Sequence, residues 1–286
     1  MEKLKMIVSM VIFGTIGIFV QYTPLSSTVI ACVRSVIGAL FMAAVILVTG
    51  KKPNIQAIKK NWILLLLSGG ALGFNWICLF EAYRYTTVAV ATLCYYMAPV
   101  FVIILSPIVL KERLTALKIL CTAAAVAGII LISGGGGGSA KGIALGLAAA
   151  MMYCAILLMN KKMEGIDALE KTLCQLSVSA VVMVVYTLIT QDLSEIVPNT
   201  VTIVMALVLG IVHTGIAYIL FFGSVGKLPA QTSAVLSYID PVTAIVLSAL
   251  FLKQPMSAVQ IGGAVLILGS IFANELLPNL RKKPRA

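Results

Sequence analysis

The sequence is short of charge. Only 11% of its 286 residues are Asp, Glu, Lys or Arg, against about a quarter in an ordinary soluble domain. Too few polar side chains remain to cover a soluble globule of this size, which excludes a soluble enzyme, a disulfide-rich secreted domain, a disordered chain and a collagen-like fibre. Acid is the scarcer sign, with 10 acidic residues against 21 basic ones. Histidine occurs once, and no acid–Cys cluster accompanies it, so no metal site and no HExxH-type chemistry is read. The six cysteines, Cys32, Cys78, Cys94, Cys121, Cys154 and Cys174, all fall in apolar runs and form no CxxC pair. They read as buried, reduced packing residues. A glycine run, Gly134–Gly138 between Ser133 and Ser139, lacks the Lys-Ser/Thr ending of a phosphate-cradling loop and reads as a flexible linker. No ATP-binding motif and no cofactor is expected.

What is present is long apolar sequence, with a mean hydropathy of +1.07. A helix crossing the hydrocarbon core needs about 20 mostly apolar residues. Ten stretches answer to this: Met6–Gln21, Thr28–Val48, Trp62–Tyr83, Val88–Val109, Leu117–Ser133, Gly142–Asn160, Thr172–Thr190, Val201–Phe222, Thr232–Leu252 and Ala258–Leu277. They are numbered here as spans 1 to 10. Strict alternation of polarity, the mark of a membrane β-barrel, is absent from them. Lys3 and Lys5 precede span 1 as in a signal peptide, but Gln21-Tyr22-Thr23-Pro24 offers no small-residue cleavage site, so the stretch is kept as a helix. The predicted class is an all-α integral membrane protein of ten transmembrane helices.

An even number of spans puts both termini on one side. Seventeen of the 21 basic residues fall on that side, while Arg84, Lys141 and Lys253 lie opposite and Arg34 lies within span 2. The positive-inside rule then predicts cytoplasmic termini in the cytoplasmic (inner or plasma) membrane. The basic tail Arg281–Arg285 suits anionic lipid head groups, and no single soluble patch gathers the charge as a nucleic-acid surface would.

The chain also repeats itself. Shifted by 142 residues, Tyr96–Ile119 aligns with Tyr238–Ile261 without a gap, and ten of 24 positions are identical, among them Tyr96/Tyr238, Pro99/Pro241 and Lys111/Lys253. The same shift pairs Gly73 with Gly215 and Trp76 with Tyr218. Five spans is an odd number, so residues 137–286 must enter the membrane from the side opposite to residues 1–136. Inverted repeats of this kind build alternating-access transporters around a midplane site.

With Phe13-Gly14-Thr15, Cys32-Val33-Arg34-Ser35, Glu81-Ala82-Tyr83-Arg84-Tyr85-Thr86-Thr87, Ala98-Pro99-Val100 and Lys111-Glu112-Arg113-Leu114-Thr115 in this order, the chain resembles the EamA family of the drug/metabolite transporter superfamily over its whole length. The resemblance implies a ten-helix bundle moving small metabolites, with exporters of amino acids among its members. It also implies a central cavity among spans 1, 3, 4, 6, 8 and 9, with spans 5 and 10 peripheral. The second half departs from the pattern, having Lys253-Gln254-Pro255 where the first half has Lys111-Glu112-Arg113, so its outer gate is expected to be held differently. Relatives carrying phosphorylated substrates use basic residues around spans 9 and 10, and only Lys253 is there, which speaks against such cargo.

Ionisable groups inside membrane spans are functional candidates by default. Asp240 stands near the middle of span 9 before Pro241, which cannot donate a backbone hydrogen bond and predicts a bent or broken helix. It is a candidate to bind a cation, take a proton or hold a substrate amine; the alternative is a buried acid paired with Arg34 or capped by hydroxyls. His213, in span 8, is the second proton-coupling candidate, or a satisfied bundle histidine. Arg34 is either a partner for a substrate carboxylate or an internal counter-ion for Asp240 or Glu81, and the resemblance puts span 2 outside the cavity. Glu81 and Arg84, three residues apart, suit a local ion pair serving as a gate or a surface bridge. Pro99 and Pro241 are grouped with these as gating or structural residues. The expected substrate-binding set is Phe13, Gln21, Asn75, Tyr83, Tyr95, Tyr96, Tyr153, His213, Ser237, Tyr238 and Asp240. Gly69, Gly70, Gly73, Gly262, Gly263 and Gly269 are expected to let helices pack closely.

The function expected is secondary transport, most simply export, of a small metabolite such as an amino acid. Nucleosides, sugars or other drug-like metabolites are the alternative cargo, followed by a passive channel or an intramembrane enzyme. Partners are a small-molecule substrate and membrane lipid, with a homodimer left open.

Overall fold

The computed structural model describes residues 1–111, 115–134, 139–192, 199–225, 227, 228 and 230–280. Glu112, Arg113 and Leu114, most of the glycine run with the boundary between the halves, and the tail Arg281–Arg285 lie outside them. Apart from the connecting segments the described residues are helical, with no strand among them. In order they form α1 (Glu2–Tyr22), α2 (Ser27–Thr49), α3 (Ile55–Lys60), α4 (Trp62–Tyr85), α5 (Val88–Tyr95), α6 (Ala98–Val109), α7 (Ala116–Gly134), α8 (Ala140–Lys162) and α9 (Ala168–Thr190). After these come α10 (Thr200–Leu207), a π-helical segment (Val208–Ile216), α11 (Ala217–Val225), α12 (Ala230–Ser237), α13 (Ile239–Phe251) and α14 (Ala258–Leu280). Seven helices are long and apolar enough to cross a membrane, counting Val88–Val109 and Thr200–Ser224 each as one. Three more apolar helices are shorter: Ala116–Ile132, Ile239–Phe251 and Ala258–Asn274. The count of ten full-length spans is thus not met by length.

Two predicted spans are broken. Span 4 divides into α5 and α6 around Tyr96-Met97, and span 9 divides into α12 and α13 at Tyr238. Pro99 and Pro241 follow the breaks, each in the first turn of the next helix, where a missing N–H is harmless. Span 8 is not uniform either, because its middle is wound as a π-helix, a geometry common at functional sites. Helix starts are set by side chains that accept from orphan backbone N–H groups: Ser26 for α2, Thr87 for α5, Ser139 for α8, Asp167 for α9 and Asn199 for α10.

Helix contacts reproduce the repeat seen in the sequence. A Cβ placed on Gly73 would strike Met183, and one placed on Gly215 would strike Phe41; the same shift of 142 converts one pair into the other. Lys111 and Lys253, also 142 apart, are the non-glycine residues of positive φ among the described residues, at 57° and 54°. Each ends its helix with the left-handed residue that glycine usually supplies. Between α7 and α14 the crossing is reciprocal: a Cβ on Gly128 would meet Gly263 O and Ile267, one on Gly263 would meet Gly128 O and Ile132. Contacts that run 128 to 267 and 132 to 263 mean that the two helices lie antiparallel. Gly69, Gly73 and Gly263 thus sit at tight crossings as expected, whereas Gly70, Gly262 and Gly269 face open space.

The connecting segments gather at two ends of the bundle. At one end Lys51 pairs with Asp167 at 2.9 Å and Lys60 with Glu164 at 3.0 Å, while Asn61 donates to Glu164 O. At the other, Tyr22 donates to Phe251 O, Ser26 to Gln191, Arg84 to Leu25 O, and the N–H groups of Val88 and Ser139 donate to Gln254 Oε1 and Tyr85 O.

Candidate functional site

A cavity of about 430 Å³ lies inside the bundle. Both helix breaks face it. From the first come Tyr95, Tyr96, Ala98 and Pro99, and from the second Ser237 and Asp240; Phe13, Gly14 and Gly17 of α1 stand between. Glycine at 14 is a requirement of this approach, because a Cβ there would sit 2.6 Å from both Asp240 O and Thr243 Cβ. Aromatic rings form the remaining wall. Tyr95 stacks on Tyr153 with centroids 5.3 Å apart, and Phe13 meets Tyr218 edge-on at 5.7 Å. Toward the ends of α8 and α9 the lining turns polar, with Asn160, Thr172 and Gln175. Gln175 Nε2 donates to Asn160 Oδ1 at 2.8 Å and to Ser68 Oγ at 2.7 Å, holding α4, α8 and α9 together there. This is the end of the bundle where Lys51 meets Asp167.

Asp240 occupies the centre of the arrangement. Its carboxyl accepts a hydrogen bond from Tyr96 Oη at 2.8 Å, and the same hydroxyl lies 3.2 Å from Ser237 O. One tyrosine thereby bridges the break in span 4 to the break in span 9. Arg34 also reaches the cavity from α2, although the resemblance had put span 2 outside it. Its guanidinium lies 4.1 Å from the ring centre of Trp76, donates through Nε to Thr214 Oγ1 at 2.7 Å, and donates through Nη2 to His213 O at 3.4 Å. Among the described residues Arg34 forms no ion pair with Asp240 or Glu81. Glu81 instead accepts from Ser27 Oγ at 2.7 Å and lies 3.8 Å from Arg84. The Glu81–Arg84 pair therefore ties the ends of α2 and α4 away from the cavity.

Of the substrate-binding candidates, Phe13, Tyr83, Tyr95, Tyr96, Tyr153, Ser237 and Asp240 line the cavity. Gln21, Asn75, His213 and Tyr238 stand behind its wall, each for a physical reason. Gln21 donates to Tyr83 O and so fastens α1 to α4. Asn75 is fully buried, donating to Ala149 O at 2.6 Å and lying 3.4 Å from Tyr95 Oη. His213 is 1% exposed, with Nε2 on Thr15 Oγ1 at 2.8 Å and Nδ1 on Val208 O at 3.2 Å, so both ring nitrogens are occupied. Tyr238 packs its ring on Phe272 of α14 at 5.6 Å. Pro241 is buried behind the break. Among the cavity residues that sequence reasoning passed over are Trp76, Tyr218, Asn160, Thr172 and Gln175. Trp76 and Tyr218 carried a signal, since they are repeat mates and both are aromatic; the three polar residues sit near helix ends, where polar groups need no special explanation.

Comparison with known proteins accords with this architecture. The profile of the EamA-like transporter family matches the chain twice, over residues 2–134 and 140–274. A Bacillus subtilis (strain 168) protein named "uncharacterized transporter YxxF" is 30% identical over 99% of this chain and 91% of its own length. Protein PecM of Dickeya dadantii (strain 3937) is 27% identical over 80% of this chain and 78% of its own. A solved crystal structure superposes with a TM-score of 0.68 over 97% of this chain and 98% of that one, at 18% identity, a likeness of fold. On this evidence the chain belongs to the EamA-like transporter family and is a multi-pass membrane protein of transporter type.

Proposed function

We propose that the protein is a secondary carrier that exports a small, partly aromatic or apolar metabolite, with an amino acid as the leading cargo. The observation that carries this reading is the cavity itself. A carboxyl group at the junction of two broken helices, surrounded by aromatic rings, suits a molecule with an amine and an apolar body. Asp240 receives the amine, Tyr96 orients Asp240, and Phe13, Tyr95, Tyr153 and Tyr218 enclose the body.

The reading includes ten spans in two inverted halves. Three observations support it: the antiparallel α7–α14 crossing, the repeat-related contact pairs, and the gathering of alternate connecting segments at opposite ends. With the basic residues of segments 50–61 and 161–171 on the cytoplasmic side of the plasma membrane, both termini are cytoplasmic. The cavity then opens inward past Asn160 and Thr172, while the Tyr22–Phe251 and Val88–Gln254 hydrogen bonds close the outer end. Rocking of one half against the other would exchange these arrangements. Asp240 is the group proposed to couple transport to protons; His213, with both nitrogens engaged inside the wall, serves packing.

Counterflow in proteoliposomes tests the proposal. Preloaded phenylalanine or leucine should accelerate uptake of labelled amino acid, with saturation. Linear, non-saturating flux would exclude a carrier, and failure of every amino acid beside a clear nucleoside or sugar response would overturn the cargo. For coupling, Asp240→Asn should abolish the pH dependence of transport; an unchanged pH profile removes that role.

A further inference from the structure

Arg34 is a cation in an unusual setting. It is 3% exposed, lies within a membrane-capable helix, and has no carboxylate partner among the described residues. A guanidinium has five N–H donors. Two are used, by Thr214 Oγ1 and His213 O, which leaves three, on Nη1 and Nη2, without a protein acceptor among the described residues. Stacking on Trp76 at 4.1 Å is an attraction to a neutral ring and does not replace the counter-charge that a buried ion calls for. The two acids considered as its counter-ions have other partners: Asp240 has Tyr96, and Glu81 has Ser27 and Arg84. The fork is nevertheless held rigidly. Thr214, whose hydroxyl receives the Nε–H, itself donates to Leu209 O five residues back along the π-helical segment. The π winding thus turns Thr214 toward Arg34, and the Trp76 face fixes the guanidinium plane. Arg34 and Trp76 both line the cavity that holds Asp240.

We propose that Arg34 is the carboxylate subsite of this cavity, taking a substrate carboxylate on the free Nη1 and Nη2 hydrogens, with Trp76, Thr214 and the π-helical segment as its positioning frame. Planar, bidentate carboxylate recognition is the task for which a guanidinium is suited. The inference rests on the cavity reading above but not on an amino acid as cargo, since a carboxylate without an amine would use the same fork. Cargo with no anionic group leaves Arg34 unexplained.

Trp76 supplies the measurement. The chain has two tryptophans, and Trp62 is 60% exposed and outside the cavity. In purified Trp62→Phe protein, Trp76 emission should respond to L-phenylalanine and to 3-phenylpropionate, and about tenfold or more weakly to L-phenylalaninamide and phenethylamine, which lack the carboxylate. Arg34→Gln should erase that discrimination. Thr214→Val, which keeps the cation but loosens it, should weaken the two carboxylates several-fold and leave the amines unchanged, and it stands in if Arg34→Gln does not fold. Response to 3-phenylpropionate without amino-acid counterflow would uphold this subsite while overturning the amino-acid cargo. Equal response to acids and amides, discrimination that survives Arg34→Gln, or silence of Trp76 toward all four compounds overturns the subsite.

Discussion

Gly14→Ala tests the close approach of α1 to the helix that carries Asp240. A Cβ on Gly14 would stand 2.6 Å from Asp240 O and 2.6 Å from Thr243 Cβ, about 0.8 Å inside the 3.4 Å at which ordinary contact begins. The first obstacle is backbone at a helix start, and the second is a β-branched side chain with little rotamer freedom. Neither yields cheaply, so α1 and α13 must part. Overpacking of this kind costs roughly 1–3 kcal/mol, while replacing a helical glycine by alanine returns about 0.8–1 kcal/mol. Gly70→Ala isolates the second effect, because a Cβ at Gly70 meets nothing within 4 Å. Unfolding of both variants in mixed micelles of rising denaturing-detergent fraction should therefore place Gly14→Ala about 1–3 kcal/mol below Gly70→Ala, with Gly70→Ala at or above the parent. Transport by Gly14→Ala should fall as well, since the displaced backbone carries Asp240. Equal stability of the two variants, with transport intact, would refute the geometry of the α1–α13 crossing.

Three further outcomes are expected. Lys253→Gly relieves a left-handed residue of φ 54° and should stabilise the protein by about 1 kcal/mol in the same detergent titration, as should Lys111→Gly. Tyr96→Phe removes the donor to Asp240 and should cost about 1–2 kcal/mol of stability together with a drop in transport rate, whereas Tyr238→Phe should leave transport near the parent rate. At the end of the bundle where the two residues meet, the Lys51 ammonium holds the Asp167 carboxyl below the usual carboxylate range, helped by the Leu169 N–H. A depressed folded-state pKa means that this stabilisation is present above the unfolded value of about 3.9 and is lost as pH falls through the folded value. Asp167→Ala should thus lower stability by about 1 kcal/mol at neutral pH, mostly through the lost helix cap, with the two unfolding curves converging below pH 3.

The break in span 9 was legible from sequence, because Pro241 has no N–H to continue a helix; the matching break in span 4 was not read, although Pro99 holds the same register of the repeat. Asp240 was legible because a carboxyl in an apolar span is expensive wherever it stands. Arg34 was less so. Span 2 is apolar on all sides, so periodicity assigns no inner face, and only tertiary packing shows that Arg34 turns inward. The π-helical segment left no trace in composition, since one extra residue per turn changes which side chains meet, not which residues are used. That is why sequence left His213 open between a proton-coupling group and a satisfied bundle histidine, whereas the structure holds it on Thr15 and Val208. Tyr96 and Tyr238 occupy one register and yet differ in surroundings, because the first half has Ala98 where the second has Asp240.

The joint presence of Arg34 and Asp240 in one cavity has an electrical consequence. With both ionised, the empty site sums to zero charge, and a zwitterion adds none. In the proposed carrier cycle, both the loaded and the returning crossing would then be indifferent to membrane voltage. A monoanion or a co-transported proton would instead couple one limb to the field, at about 2.3 kcal/mol per charge per 100 mV. Current recorded from protein reconstituted on a solid-supported membrane thus reads, for any cargo, how many charges this pair leaves uncompensated.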